Sequence, residues 1–200
     1  MISYLKIKSY AKINLALNII GKTSSLHKIE SIISFLDLYD EIFIKKIKKK
    51  NHKIKFIGQF SNDINSQNTI FKLLEIIDKK KLLKDTKFDI IIKKNIPSKA
   101  GLAGGSMNAA AILKFLIKKK LIKASKKEVY KICSLIGSDV ILGVHSNNLI
   151  LKSNNTVKNF VIKKHVFVLI VKPFFGCSTK EIYSKVKKFR KARFNKPTKK

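Results

Sequence analysis

The segment IPSKAGLAGGSMNAAAILKFL, residues 96–116, constrains this chain more than any other. Residues 87–93 precede it with Phe88, Ile90, Ile91 and Ile92 and predict a strand, and Pro97 then halts regular structure. Gly101, Gly104 and Gly105 crowd the loop that follows, after which Ala109, Ile112, Leu113 and Leu116 resume helical spacing. The order is therefore strand, glycine-rich loop, helix. A helix N-terminus holds unpaired N–H groups and about half a positive charge. Glycines ahead of it let backbone approach a ligand closely, which together makes a phosphate cradle. Ser106 at the helix start adds a hydroxyl for phosphate or for Mg²⁺. No GK[ST] follows the glycines, so this is not a Walker A loop, and the spacing is not the dinucleotide fingerprint GxGxxG. From the residues alone a second reading stays open, a tight turn that needs positive φ.

The rest of the chain supplies partners for this unit. Residues 2–20, 29–36 and 41–47 read as extended, with a lysine-rich turn over 45–53 and a further strand around Ile54 and Phe56. Ile70, Leu73, Leu74 and Ile77 make one helical stripe. Ser125 and Glu128 fit a capping box for a helix carrying Val129, Ile132, Cys133 and Ile136, which Gly137 ends. Asp139 falls just past that helix. A short strand is expected over 148–152, and the polar segment from Ser153 to Asn159 is the best candidate boundary. Beyond it, His165 to Val171 reads as a buried strand, and Ser178 with Glu181 as the cap of a helix through Ile182, Val186 and Phe189.

Two hundred residues suffice for one large domain or two small ones. Two cysteines far apart exclude a disulfide framework or a Cys-rich zinc site. No uninterrupted apolar run is long enough to span a membrane, and the first apolar stretch is broken by Asn14 and Asn18, so the expected location is the cytoplasm. A net charge of +32 would suit a nucleic-acid partner. The basic residues are almost all lysine and are spread along the chain, which instead fits the codon bias of an AT-rich gene.

SYAKINLALNIIGK, IPSKAGLAGGSMNAAA and IGSDVIL, in that order and spacing, resemble the GHMP kinase superfamily, and KPFFGCSTKEIYSKV extends the likeness towards the C-terminus. The resemblance implies an α+β fold. Its first part, residues 1–157, would be an ATP-binding domain like the second domain of ribosomal protein S5. Residues 158–200 would begin a ferredoxin-like second domain. Superfamily members continue further, so the resemblance also implies C-terminal truncation. Within the superfamily the pattern is similar to the branch that uses ATP and Mg²⁺ to phosphorylate the 2-hydroxyl of a cytidine diphosphate-linked methylerythritol, in the non-mevalonate route to isoprenoid precursors. It makes Lys12 and Asp139 the catalytic pair. Pro97, Ser98, Lys99, Ala100, Gly101, Leu102, Ala103, Gly104, Gly105 and Ser106 would bind ATP phosphates, with Asn68 near the adenine. Asn14, His27 and Tyr183 would bind substrate. The partner is thus a small molecule, with no specific nucleic acid and no membrane expected. A carboxylate at Asp139 can accept the hydroxyl proton, and the Lys12 ammonium can orient the attacking oxygen. Taken singly, Lys12 could be one more solvated lysine, Asp139 a turn residue, Asn14 and Asn68 backbone caps, His27 a surface ring and Tyr183 a packing residue. Three positions depart from the family pattern: Leu26 stands where an aromatic often covers cytosine, Met107 where a second serine is usual, and Ala103 where many relatives have glycine. A methyl at Ala103 is expected to be tolerable only at negative φ. Three other readings remain: a different small-molecule GHMP kinase such as a homoserine or mevalonate kinase, an RNA-binding S5-like module, and an inactive truncated remnant.

Overall fold

The computed structural model describes residues 3–23, 27–62, 64–145, 147–161, 166–173 and 179–195. Leu26, His165, Cys177 and Ser178 lie outside the described residues. The chain divides into two compact units, the first formed by residues 1–11, 37–98 and 102–144, the second by 12–36, 99–101 and 145–200. Two long strands, β1 (Leu5–Lys22) and β2 (His27–Ile47), pair with each other and contribute to both units.

In the first unit the end of β2 runs antiparallel to β4 (Lys87–Lys93), from Glu41 opposite Lys93 to Ile47 opposite Lys87. β4 also lies parallel to β3 (Lys53–Ile57), and the parallel pair is bridged by α1 (Thr69–Lys79). Alternation sends Phe88, Ile90 and Ile92 to one face of β4, where each is at most 1% exposed. That face meets the apolar stripe of α1 (Ile70, Leu73, Leu74, Ile77) and α2 (Gly104–Lys118), which buries Ala109, Ile112, Leu113 and Leu116. α3 (Lys126–Ile136) closes the core with Val129, Ile132, Cys133 and Ile136, and α4 (Val140–Val144) follows it directly. The expected capping box is present: the Ser125 hydroxyl accepts from Glu128 N at 3.3 Å, and the Glu128 carboxylate accepts from Ser125 N at 2.8 Å. Burial pushes the Cys133 thiol up to about 11, so this cysteine is core and not a nucleophile.

In the second unit the start of β2 pairs with β5 (Leu149–Leu151), and β5 forms a hairpin with β6 (Val157–Asn159). The polar segment 153–159 supplies the turn and second strand of that hairpin. The expected strand over 165–171 is corrected. Residues 166–171 carry no strand, and Phe167 and Leu169 are 101% and 90% exposed. A strand needs a neighbour for its N–H and C=O groups, and among the described residues none pairs with this run. The last helix, α5, spans only Thr179–Ser184, leaving Val186 and Phe189 beyond it. The basic segment after it is nonetheless held: Arg190 N donates to Ile19 O (2.9 Å), and Arg193 N and Phe194 N donate to the buried carboxylate of Glu30 (2.7 and 2.9 Å). Burial works to raise the Glu30 pKa. Hydrogen bonds from Asn18, Phe194 and Arg193 and the Arg193 charge together outweigh it and hold the carboxyl below its usual range. No helix among the described residues is long and apolar enough to cross a membrane.

Candidate active site

The N-terminus of α2 differs from those of its neighbours. α1 is capped by Asn68, whose side chain accepts from Ile70 N and Phe71 N at 3.0 Å each, and α3 by Ser125. The cap position of α2 is Ala103, which has no side-chain acceptor to offer. The first-turn amides of Gly104, Gly105 and Ser106 are therefore left for an external acceptor, with the helix dipole behind them. An anion fits this arrangement.

The glycines here answer a demand for space. A Cβ on Gly104 would fall 3.0 Å from Ile96 Cγ2 and 3.3 Å from Lys94 Nζ, and one on Gly105 would fall 3.3 Å from Thr69 Oγ1. Thr69 Oγ1 donates to Gly105 O at 2.6 Å, tying the start of α1 to the first turn of α2. Asn68, expected beside adenine, spends its side chain on capping: besides accepting from two amides, its Nδ2 donates to Asn65 O and Ser66 O (3.1 and 3.4 Å). The turn reading of the loop holds as well, since Lys99, Gly101 and Ala103 lie at φ of 53°, 73° and 54°. Ala103 thereby overturns the expectation of negative φ. Its methyl is carried in the left-handed region, at a cost of about 1 kcal/mol that the packing of Leu102 and Met107 on either side must offset. Both neighbours are buried, 6% and 3% exposed. Met107, which stands in place of a hydroxyl, is thus a core side chain. Pro97, Ser98 and Ala100 are half-buried and Lys99 exposed; the Ser98 hydroxyl reaches Phe60 O at 3.5 Å.

Asp139 is half-buried at the turn between α3 and α4, and its carbonyl accepts from Leu142 N at 3.2 Å. Gly143 fixes α4 against α2, for a Cβ there would lie 2.6 Å from Ala110 Cβ and 3.0 Å from Met107 Sδ. The segment bearing Asp139 is therefore packed onto the first two turns of the helix whose amides are exposed.

In the second unit, Lys12 is 7% exposed, which excludes the solvated reading. Its Nζ donates to Asn14 Oδ1 (2.7 Å), Asn14 Nδ2 donates to Ser31 Oγ (2.7 Å), and Ser31 Oγ donates to Ala16 O (2.7 Å). A buried ammonium held on such a chain is oriented. Ser31, fully buried, was not singled out in the sequence, where β2 carries many other polar residues and nothing marks this one. The rings of His27, on the first residue of β2, and Tyr183, on α5, meet with centroids 5.4 Å apart and tilted by 58°. The structure thus joins Lys12 with Asn14, His27 with Tyr183, and the Asn68–Thr69 corner with Gly105. Thr69 and Gly143 were not singled out in the sequence.

A glycine-opened helix without a side-chain cap, packed on a mixed sheet, belongs to a chain whose family match is to the N-terminal domain of the GHMP kinases. The profile of the GHMP kinases N terminal domain matches residues 68–149. Over 195 residues the chain is 58% identical to the 4-diphosphocytidyl-2-C-methyl-D-erythritol kinase of Pelagibacter ubique (strain HTCC1062), covering 98% of this chain and 69% of that one. With the enzyme of the same name from Clostridium tetani (strain Massachusetts / E88) the identity is 37%, covering 92% of this chain and 65% of that one. The chain belongs to the 4-diphosphocytidyl-2-C-methyl-D-erythritol kinase family, and spans about two thirds of the length of these relatives. Solved structures share the fold. A 4-(cytidine 5'-diphospho)-2C-methyl-D-erythritol kinase matches with TM-score 0.61 at 18% identity, over 78% of this chain and 55% of that one. The homoserine kinase of Cytophaga hutchinsonii matches with TM-score 0.64 at 14% identity, over 95% and 62%.

Proposed function

We propose that this chain transfers the γ-phosphoryl group of ATP to the 2-hydroxyl of 4-diphosphocytidyl-2-C-methyl-D-erythritol, a step towards isoprenoid precursors. The observation that carries the reading is the N-terminus of α2, left without a side-chain cap and opened by two glycines. Residues 1–157 form the ATP-binding domain on this reading, and 158–200 begin a ferredoxin-like second domain. The segment from Pro97 through Ser98, Lys99, Ala100, Gly101, Leu102, Ala103, Gly104 and Gly105 to Ser106 wraps the phosphates, Pro97 turning the chain and the residues after it supplying backbone N–H groups. Asn68 acts through its cap, keeping the start of α1 beside that segment, where adenine sits.

Phosphoryl transfer asks mainly for alignment and charge stabilisation. Asp139 accepts the proton of the attacking hydroxyl. Lys12, oriented by Asn14 and Ser31, is the second catalytic residue on this reading and supplies an ammonium for the attacking oxygen. His27 and Tyr183 read the cytosine, by hydrogen bonding and stacking. Mg²⁺ fits the donor set: the Ser106 hydroxyl at the first turn of α2 is a hard oxygen donor, and no cluster of three His, Cys, Asp or Glu is required of a cation that takes its other oxygens from phosphates and water. When bound, it neutralises charge on the phosphates.

The test is ADP release from purified protein with ATP, Mg²⁺ and the cytidyl substrate, with CMP as competitor. Turnover that CMP inhibits, and that Asp139→Ala lowers at least about a hundredfold without a change in folding, is the expected result. Turnover indifferent to CMP would move the substrate to a different small alcohol. Unchanged turnover in Asp139→Ala would remove Asp139 from the mechanism.

A further inference from the structure

Asp40 lies on β2 and is fully buried, yet its carboxylate is surrounded by donors. Oδ1 accepts from Asn95 N and Ile96 N at 2.8 Å each, and Oδ2 accepts from Asn108 Nδ2 at 2.9 Å and from Lys94 Nζ. Lys94 is itself 3% exposed. It is pinned from the other side by Lys94 N donating to Ile57 O (2.7 Å), and Asn95 Nδ2 donates to Tyr39 O (2.9 Å). The carboxylate therefore joins three pieces of chain: the middle of β2, the residues that leave β4 into the glycine-rich loop, and the second turn of α2. The Lys94 ammonium ends 3.3 Å from where a Cβ on Gly104 would be, directly behind the first turn of α2.

This cluster is poorly explained as ballast for the core. A buried ion pair is no better for stability than well-packed apolar side chains of the same volume. Asn108 also leaves its Oδ1 buried without a hydrogen-bond partner among the described residues, a cost an apolar residue would avoid. What the cluster supplies is position. Two consecutive amides and one side-chain amide converge on a single carboxylate, which fixes where the chain leaves β4 relative to where α2 begins. The charge is balanced as well, since a bare carboxylate here would repel phosphate and Lys94 neutralises it.

We propose that Asp40, Lys94 and Asn108 are positioning residues that preset the glycine-rich loop of the first unit, so that the Gly104, Gly105 and Ser106 amides stand ready for the phosphates of ATP before it arrives. The inference deepens the kinase reading and rests on it for its kinetic arm. Neither Asp40, Lys94 nor Asn108 touches substrate on this account. Their removal is felt through ATP and not through the cytidyl substrate.

The test uses the full chain and two variants. Asn108→Ala deletes one donor together with the orphaned acceptor. The double variant Asp40→Asn/Lys94→Met deletes both charges and leaves none buried alone. Amide hydrogen exchange without ligand is measured over residues 94–96 and over 107–109, the first amides of α2 that are hydrogen-bonded, with α3 as the internal reference. KM for ATP and for the cytidyl substrate are measured beside it. The expected result is exchange about tenfold faster in those two stretches, unchanged in α3, with KM for ATP raised about tenfold and KM for the cytidyl substrate within about twofold. Exchange unchanged at the loop, or raised equally in α3, overturns the proposal, as does an equal rise in both KM values. A wild-type chain with no turnover refutes the kinase reading alone, because exchange in the ligand-free protein still decides whether the cluster orders the loop.

Discussion

Replacing Gly143 by alanine adds one methyl group at the contact that sets the place of Asp139. The new Cβ would lie 2.6 Å from Ala110 Cβ, 3.0 Å from Met107 Sδ and 3.2 Å from Met107 Cε. Carbon atoms in good contact sit about 3.5–4.0 Å apart, so α4 must retreat from α2 by about 1 Å. Met107 is flexible and can swing away, whereas Ala110 Cβ is fixed to the helix backbone and cannot. Overpacking of this kind costs about 1–3 kcal/mol, and the better helix propensity of alanine returns at most about 1 kcal/mol. A net loss of about 1–2 kcal/mol corresponds to about 2–8 °C in Tm for a chain of this length. Activity should fall further than stability, because Asp139 immediately precedes α4 and a displacement of about 1 Å can cost on the order of a hundredfold in rate. Thermal unfolding and ADP release measured on one preparation separate the two effects. The second variant, Ala110→Gly added to Gly143→Ala, removes the clashing atom and should recover most of kcat while remaining less stable than wild type. A single variant with wild-type Tm and kcat within twofold, or a double variant no more active than the single, would refute the argument that this contact positions Asp139.

Ala103→Gly relieves a left-handed residue at φ 54°. It should stabilise the chain by about 0.5 kcal/mol, the relief of about 1 kcal/mol being partly offset by glycine's greater freedom when unfolded, as denaturant titration will report. Gly101→Ala, at φ 73° with no atom within 4 Å of the new Cβ, should cost only about 0.5 kcal/mol but raise KM for ATP about tenfold if the backbone there meets phosphate; an unaltered KM would assign Gly101 to the turn alone. His52 accepts from Phe88 N on Nδ1 (3.0 Å), and burial, outweighing the attraction of Asp78, depresses its pKa. Since the folded pKa is the lower one, its contribution is complete above the unfolded value near 6.5 and declines as pH falls below it, so stability should drop as pH falls below about 6.5 in wild type and less so in His52→Gln.

Elements whose signals are local could be read from the sequence. The stripe of Ile70, Leu73, Leu74 and Ile77 gives α1, the Ser125–Glu128 pair gives the start of α3, and Phe88 with the isoleucine run of KFDIIIK gives β4 over Lys87–Lys93. What failed depended on a distant partner. The expected strands over 29–36 and 41–47 are one strand, β2, because Asp40 finds its donors on β4's exit and on α2 and so does not interrupt it. Residues 166–171 have the composition of a buried strand and lie exposed, because composition states what a segment would do beside a neighbour and cannot supply the neighbour. Lys12 is indistinguishable in the sequence from the other basic residues; the Asn14–Ser31 chain that makes it different crosses two strands. The glycine-rich loop itself was legible, but the missing cap that opens it to an anion is a property of the φ and side chain of Ala103.

The placement of glycine in this chain separates two demands that are usually met together. Left-handed φ is tolerated without glycine at Lys81, Lys84, Lys99, Ala103, Lys120 and Asn155, at about 1 kcal/mol each. Two of these, Lys81 and Lys120, lie just past the ends of α1 and α2, where glycine is the usual choice. Four glycines stand where a Cβ would strike something: Gly58, itself at φ 96°, against Lys94 O at 2.9 Å, Gly104 against Ile96, Gly105 against Thr69 and Gly143 against Ala110, whereas Gly101 at φ 73° would meet nothing within 4 Å. All four contacts bear on one small region, the exit of β4 and the first two turns of α2. A strained φ is local and its cost is bounded. A collision between backbone segments would move α2, α4 and the loop together, and with them the amides, the Asp40 carboxylate and Asp139. Close approach thus accounts for four glycines around the phosphate end, while most of the left-handed φ values among the described residues fall on residues that keep a Cβ.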